Sequence, residues 1–134
     1  MRLLGVDFGS KNIGIAVGDL ETAIFRPLRP LQASGTLAKD AAVIEGVASQ
    51  EDAERIVVGV PLGMIDSRQE RICRRFGEVL AERGLAVVYV DEAFSSKEAR
   101  ERLSQPDQTA SISEPTIDSM AAVLILERYA QRAR

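Results

Sequence analysis

The chain has 134 residues, 46% of them apolar, and a formal net charge of −3, a size and composition that suit one domain with a core of its own and exclude a chain too polar to fold. It contains no histidine, and Cys73 is its one cysteine, so a Ser–His–Asp triad, a His-ligated metal, an internal disulfide and a thiolate zinc cluster are all excluded. The small negative charge argues against indiscriminate coating of nucleic acid but leaves room for a local basic face.

In chain order, residues 3–17 (LLGVDFGSKNIGIAV) read as two apolar runs joined by a Gly-Ser-Lys-Asn turn, the pattern of a β-hairpin whose first strand ends on Asp7. The strand pattern follows Met1 directly, and no apolar run approaches the roughly 18 residues of a membrane span; neither a secretory leader nor a membrane partner is expected, and the chain reads as cytoplasmic. Residues 22–25 are a third strand candidate, completing an antiparallel meander before Arg26, Pro27, Arg29 and Pro30 break regular structure. Residues 37–48 repeat Leu37, Ala41, Ile44 and Ala48 at helical spacing. Residues 55–60 (RIVVGV) have the near-continuous apolar character of a strand buried on both faces. A helix over 69–83 carries the stripe Ile72, Phe76, Val79 and Leu80, with Cys73 beside it as a small core residue, and Gly84 stops it. Residues 85–90 (LAVVYV) form the fifth strand, followed by Asp91 and Glu92. Ser95 and Glu98 match a capping box, predicting a helix over 96–103, and 104–117 read as a polar loop without Lys or Arg. The last helix is predicted over 115–133, acidic at its start and basic at its end, in keeping with the helix dipole.

The order β-β-β-α-β-α-β-α-α predicts an α/β fold of residues 1–134 as a single domain. Its mixed sheet has five strands in the order 3-2-1-4-5, with helices on both faces and right-handed crossovers. That order brings Asp7 and the Asp91–Glu92 pair to the carboxyl edge of the parallel strands, where open α/β sheets bind ligands. Asp118, at the start of the last helix, joins them if that helix begins at the same edge. Converging carboxylates repel unless a cation compensates them, and oxygen-only ligands select Mg²⁺ or Mn²⁺. Two such ions can activate a water and stabilise a leaving oxygen in phosphodiester hydrolysis. Each acid also has a plainer reading. Asp7 could accept backbone N–H bonds in its own turn, Asp91–Glu92 could form a helix-approach turn, and Asp118 could be a favourable first-turn acid.

The segments DFGSKNIGIAVGD (7–19), IVVGVPLGM (56–64), YVDEAFSS (89–96) and IDSMAAVLILERY (117–129) resemble the YqgF/RuvX family. This is the ribonuclease H-like group named as Holliday junction resolvase homologues and as pre-16S rRNA nucleases, and the match covers nearly the whole chain in order. The resemblance implies a ribonuclease H-like fold. It implies a cytoplasmic Mg²⁺/Mn²⁺ endonuclease acting on structured nucleic acid, with Asp7, Glu92 and Asp118 as catalytic metal ligands. Asp91 is a neighbouring candidate that alternation should turn a different way from Glu92; Lys11 and Ser96 are lesser candidates. Two departures from the family pattern stand out. Ala93 replaces its Arg after Asp-Glu, with Ser96 at its Thr position, and the loop before the last helix has no cation.

Among cations elsewhere, Arg71, Arg74 and Arg75 share one polar helix face, which reads as a solvated face before a binding patch. The expected function is a metal-dependent nuclease in 16S rRNA end maturation. The alternatives are a Holliday junction resolvase, which would need a homodimer to cut two strands symmetrically, a non-catalytic nucleic-acid-binding module, or a nucleotide-dependent protein using Gly9–Lys11 as a phosphate loop.

Overall fold

The computed structural model describes residues 1–9, 11–61, 68–91 and 116–133, with backbone alone for 116–118. The predicted helix over 96–103, Glu92 and Ser96 lie outside the described residues. The elements are β1 (Arg2–Phe8), β2 (Asn12–Asp19), β3 (Ile24–Pro27), β4 (Leu31–Gln32), α1 (Leu37–Gln50), β5 (Arg55–Val60), α2 (Arg68–Glu82), β6 (Val87–Asp91) and α3 (Thr116–Arg132). One sheet runs β3-β2-β1-β5-β6, with β4 also paired to β2. This is the predicted path with one strand added. β1 is antiparallel to β2 and parallel to β5, and β5 is parallel to β6.

The alternation of side chains along the strands explains why helices cover both faces. Leu4, Val6, Phe8, Ile13, Ile15, Val17, Ile56, Val58 and Val60 turn to one face and pack with Ala41, Ile44 and Ala48 of α1 and Cys73, Phe76 and Leu80 of α2. Phe8 and Phe76 stack with centroids 4.4 Å apart. The other face presents Leu3, Ala16 and Val57 to Ala122, Val123, Ile125 and Leu126 of α3. The positions between them on that face are glycines, so α3 lies against backbone. A Cβ on Gly5 would fall 2.7 Å from Leu126 Cγ and 2.9 Å from the Ala122 carbonyl oxygen.

The meander departs from the expected boundaries. The third strand begins at Ile24, not Thr22, because residues 19–23 form a turn. Asp19 Oδ1 accepts the Glu21 N–H at 2.8 Å, the Asp19 carbonyl accepts the Ala23 N–H at 2.9 Å, and Ala23 has φ 55°. Arg26 and Pro27 extend the strand where a break was expected. β3 is the outer edge of the sheet, so the missing N–H of Pro27 costs no ladder bond. The unforeseen β4 is two residues long, too short to show a period, and pairs Leu31 with Ile13 and Gln32 with Asn12. Cys73 is fully buried, as its stripe predicted, and Gly84, with φ +89°, ends α2. Among the described residues, no helix is long and apolar enough to cross a membrane.

Candidate active site at the carboxyl edge of the sheet

Asp7 is the next-to-last residue of β1, half-buried, and pairs with Gly14 of β2. Alternation puts it with Leu3 and Gly5 on the α3 face. Val6 pairs with Val58, and Gly59 pairs with Val90, so Asp7 stands at the level of Gly59 and Val90. Two strand spacings, roughly 10 Å, separate β1 from β6. Between them β5 offers only Gly59, which leaves the sheet surface open on the α3 side.

The hairpin turn after Asp7 is tight. The Gly9 N–H donates to the Asn12 carbonyl at 3.1 Å, and a Cβ on Gly9 would come within 2.6 Å of that oxygen. Lys11 is exposed on this turn, and its carbonyl accepts the Ala33 N–H at 2.8 Å. Gln69, in the first turn of α2, donates from Nε2 to the Phe8 carbonyl at 2.8 Å. The strand end is therefore held from both sides.

The start of α3 is fixed by a side chain that the sequence reading overlooked. Ser119 is fully buried; its Oγ accepts the Ile15 N–H at 3.3 Å and donates to the Leu28 carbonyl at 2.6 Å. It fills the gap between β3 and β4, where the outer edge of β2 lacks a strand partner. Ile15 pairs with Val6, so the first turn of α3, which contains Asp118, begins over the carboxyl end of β1. The signal was present in the sequence: Ser119 is in phase with Ala122 and Leu126 on the buried face of the helix, where a hydroxyl needs partners. We predict that Ser119→Ala destabilises the fold by about 1–3 kcal/mol, because the Ile15 N–H and Leu28 carbonyl both lose a buried partner. Urea unfolding of the two proteins measures it.

At the other edge of the site, Asp91 ends β6, pairs with Val60 and is exposed. It shares the Tyr89 face of the strand, opposite that of Asp7. Arg128 and Arg132, one turn apart on α3, donate to the Asp91 and Tyr89 carbonyls at 2.7 and 3.2 Å. These basic residues, read from sequence as partners of the helix dipole, also cover the open edge of β6. Burial pushes the Tyr89 phenol up from its ordinary pKa, Glu78 adds to that, and Arg74 opposes it.

Arg74 pairs with Glu70 at 3.0 Å, and Arg75 pairs with Glu78 and Glu82 at 3.4 and 3.3 Å. Arg74 and Arg75 are thus each paired with carboxylates of the same helix. Among the described residues, no group of three or more Asp, Glu or Cys side chains could hold a metal ion. Of the four acids singled out, Asp7 and Asp91 are described with their side chains, Asp118 by its backbone in the first turn of α3, and Glu92 lies outside the described residues.

Comparison with known proteins gives a consistent result. The family model described as "RuvX: Holliday junction resolvase" matches residues 1–132. A Klebsiella pneumoniae (strain 342) protein named "Putative pre-16S rRNA nuclease" is 38% identical over 133 residues, covering 97% of this chain and 96% of that one. An Agathobacter rectalis protein of the same name is 36% identical over 138 residues, covering 96% and 94%. Among solved structures, Thermus thermophilus RuvC in complex with a Holliday junction substrate has a TM-score of 0.60 at 16% identity, covering 98% and 96%. The large terminase nuclease of phage G20c has a TM-score of 0.56 at 12% identity, covering 92% and 80%. At those identities the likeness shows the fold, which is ribonuclease H-like.

Proposed function

This chain belongs to the RuvX family, and on that premise we propose that it is a divalent-metal-dependent endonuclease that cuts structured nucleic acid at the carboxyl end of β1, with precursor 16S rRNA as its substrate. Residues 1–134 are read as one nuclease domain working in the cytoplasm. The observation that carries the reading is that Ser119 pins the start of α3 to β2 beside the end of the central strand, where Asp7 lies on the α3 face.

The assigned ligands are Asp7, Asp118 and Glu92. Glu92 is taken over from the family motif in preference to Asp91, which takes the Tyr89 face, opposite that of Asp7. The donor set fits hard cations, because it is oxygen only and the chain has no histidine. Bound Mg²⁺ or Mn²⁺, as a pair, supplies activation of the attacking water and stabilisation of the leaving oxygen. The protein's part is positional. β1 is paired on both sides over Leu3–Val6 and with β2 through Phe8, so Asp7 is carried on an inner strand of the sheet. The amino end of α3 favours negative charge beside Asp118, and Lys11 on the turn offers a cation to a phosphate. Ser96 is a lesser contributor.

A second reading, resolution of branched DNA, is favoured by the description of the matching family model and requires two copies acting together. One experiment separates the readings: pure protein is incubated with precursor 16S rRNA and with four-way junction DNA, in Mn²⁺, Mg²⁺ or EDTA. Discrete cuts in the precursor with either metal and none in EDTA are expected. Symmetric cuts in the junction, with the precursor intact, would move the assignment to the second reading. Cleavage undiminished by EDTA would overturn the metal mechanism.

A further inference from the structure

On the opposite side of the β1 strand end from Asp7 is a cleft of about 260 Å³, walled by Phe8, Ala33, Leu37 and Ile72, with Gly9 and Gln69 at the strand end and Asp40 also in its lining. We propose that this cleft is a base-binding subsite that receives one unpaired guanine of the nucleic-acid substrate, next to the bond that is cut. The proposal rests on the nuclease reading and adds to it a sequence preference.

The polar groups in the cleft are what single out guanine. Asp40 is 4% exposed. Its two carboxylate oxygens share one donor among the described residues, the Ser34 N–H, at 3.0 and 3.3 Å. A carboxylate offers about four acceptor sites, so most of this one's capacity remains, and buried carboxylates are seldom left so sparsely bonded. Gln69 directs its amide N–H groups to the Phe8 carbonyl at 2.8 Å and the Cys73 sulfur at 3.6 Å, which leaves Oε1 as an acceptor. The cleft thus combines apolar walls with acceptors, and it suits a flat ring that carries N–H donors.

The volume falls below the roughly 300–1,000 Å³ of sites for drug-sized ligands, so it suits one ring system and not a whole nucleotide. Among the bases, guanine alone carries two adjacent donors, N1–H and N2–H, on its pairing edge, a match for the two oxygens of a carboxylate. Adenine and cytosine set a ring acceptor beside their amino group, and uracil flanks its single N–H with carbonyls. That edge is free only in an unpaired nucleotide, the usual target of sequence-specific recognition in RNA. Gly9 lines the cleft and stands two residues from Asp7, so the cleft adjoins the strand end that carries the acid.

The test uses the full chain labelled with ¹⁵N and titrated with 5′-GMP, 5′-IMP and 5′-AMP. GMP should shift the amides of Phe8, Gly9, Gln69 and Gly35, which also lines the cleft. IMP, which lacks the 2-amino group, should bind about tenfold more weakly, and AMP should leave these amides unmoved. Asp40→Asn keeps an oxygen for the Ser34 N–H but sets an amide donor against the guanine donors, so GMP affinity should fall at least tenfold. Ala33→Leu fills the cleft without touching Asp40 and should also abolish the shifts, while melting curves confirm that both variants fold. Equal binding of all three nucleotides, shifts elsewhere, or wild-type GMP binding by both variants would overturn the proposal. So would arginine methyl ester moving these amides when GMP does not, which would assign the cleft to a protein guanidinium. A chain that binds GMP here yet cuts nothing in Mn²⁺ refutes the nuclease reading, and one that cuts but ignores GMP refutes the subsite alone.

Discussion

Asp7→Asn is expected to lower Mn²⁺-dependent cleavage by at least a thousandfold, about 4 kcal/mol in the barrier, while leaving the folded protein as stable as the wild type in EDTA. Asparagine keeps the shape of the side chain and removes one negative charge. If Asp7 belongs to a cluster of carboxylates around the first turn of α3, like-charge repulsion in the metal-free protein falls when that charge goes. Added Mn²⁺ should then raise the wild-type melting temperature by mass action, and that of the variant far less. The plainer alternative is that Asp7 serves its own turn as a backbone acceptor. Loss of that role would cost roughly 1–3 kcal/mol with or without metal. Melting curves of both proteins in EDTA and in Mn²⁺, beside a cleavage assay, separate the two. A variant that melts well below wild type in EDTA, with neither protein responding to Mn²⁺, would sink the metal-ligand assignment of Asp7.

The second large effect is predicted at Gly5, away from the reacting atoms. Its missing Cβ allows α3 to lie against β1, with Leu126 Cγ and the Ala122 carbonyl oxygen in the space a methyl group would take. Gly5→Ala should therefore force α3 off the sheet and cost about 1–3 kcal/mol from overpacking. At this chain length that is a fall in melting temperature of roughly 4 °C for each kcal/mol. Activity should fall further than the unfolded fraction explains, because the displaced helix carries Asp118 away from Asp7. Adding Leu126→Ala relieves the side-chain clash but not the one with the Ala122 backbone, so the double variant should recover only part of the loss. Wild-type activity and stability in Gly5→Ala would refute the close-packed role of that glycine.

The core strands were legible because their chemistry is local. The runs LLGV and RIVVGV have no polar face, so they had to be buried on both sides, and the hairpin turn is written in Gly9–Asn12. The stripe of α2 placed Cys73 in the core by period alone. The meander was less legible. Pro27 reads as a breaker in sequence, and only the position of β3 at the sheet edge makes it harmless. Glu92 and the helix predicted over 96–103 stand as sequence readings outside the described residues.

The sequence by itself determined which residue types could do chemistry here: with no histidine and one buried thiol, a catalytic site has to be built from carboxylates, hydroxyls, cations and backbone. It also placed Asp7 close to the end of a buried strand, because the apolar run LLGV stops there, although β1 continues one residue further to Phe8. The tertiary structure decided which acid shares a face with which, since Asp7 and Asp91 are 84 positions apart and their relation depends on the register of β1, β5 and β6. It also decided that Ser119 anchors α3, through bonds to residues 104 and 91 positions away. Contacts of that kind depend on the path of the whole chain, and no local pattern of residues encodes them.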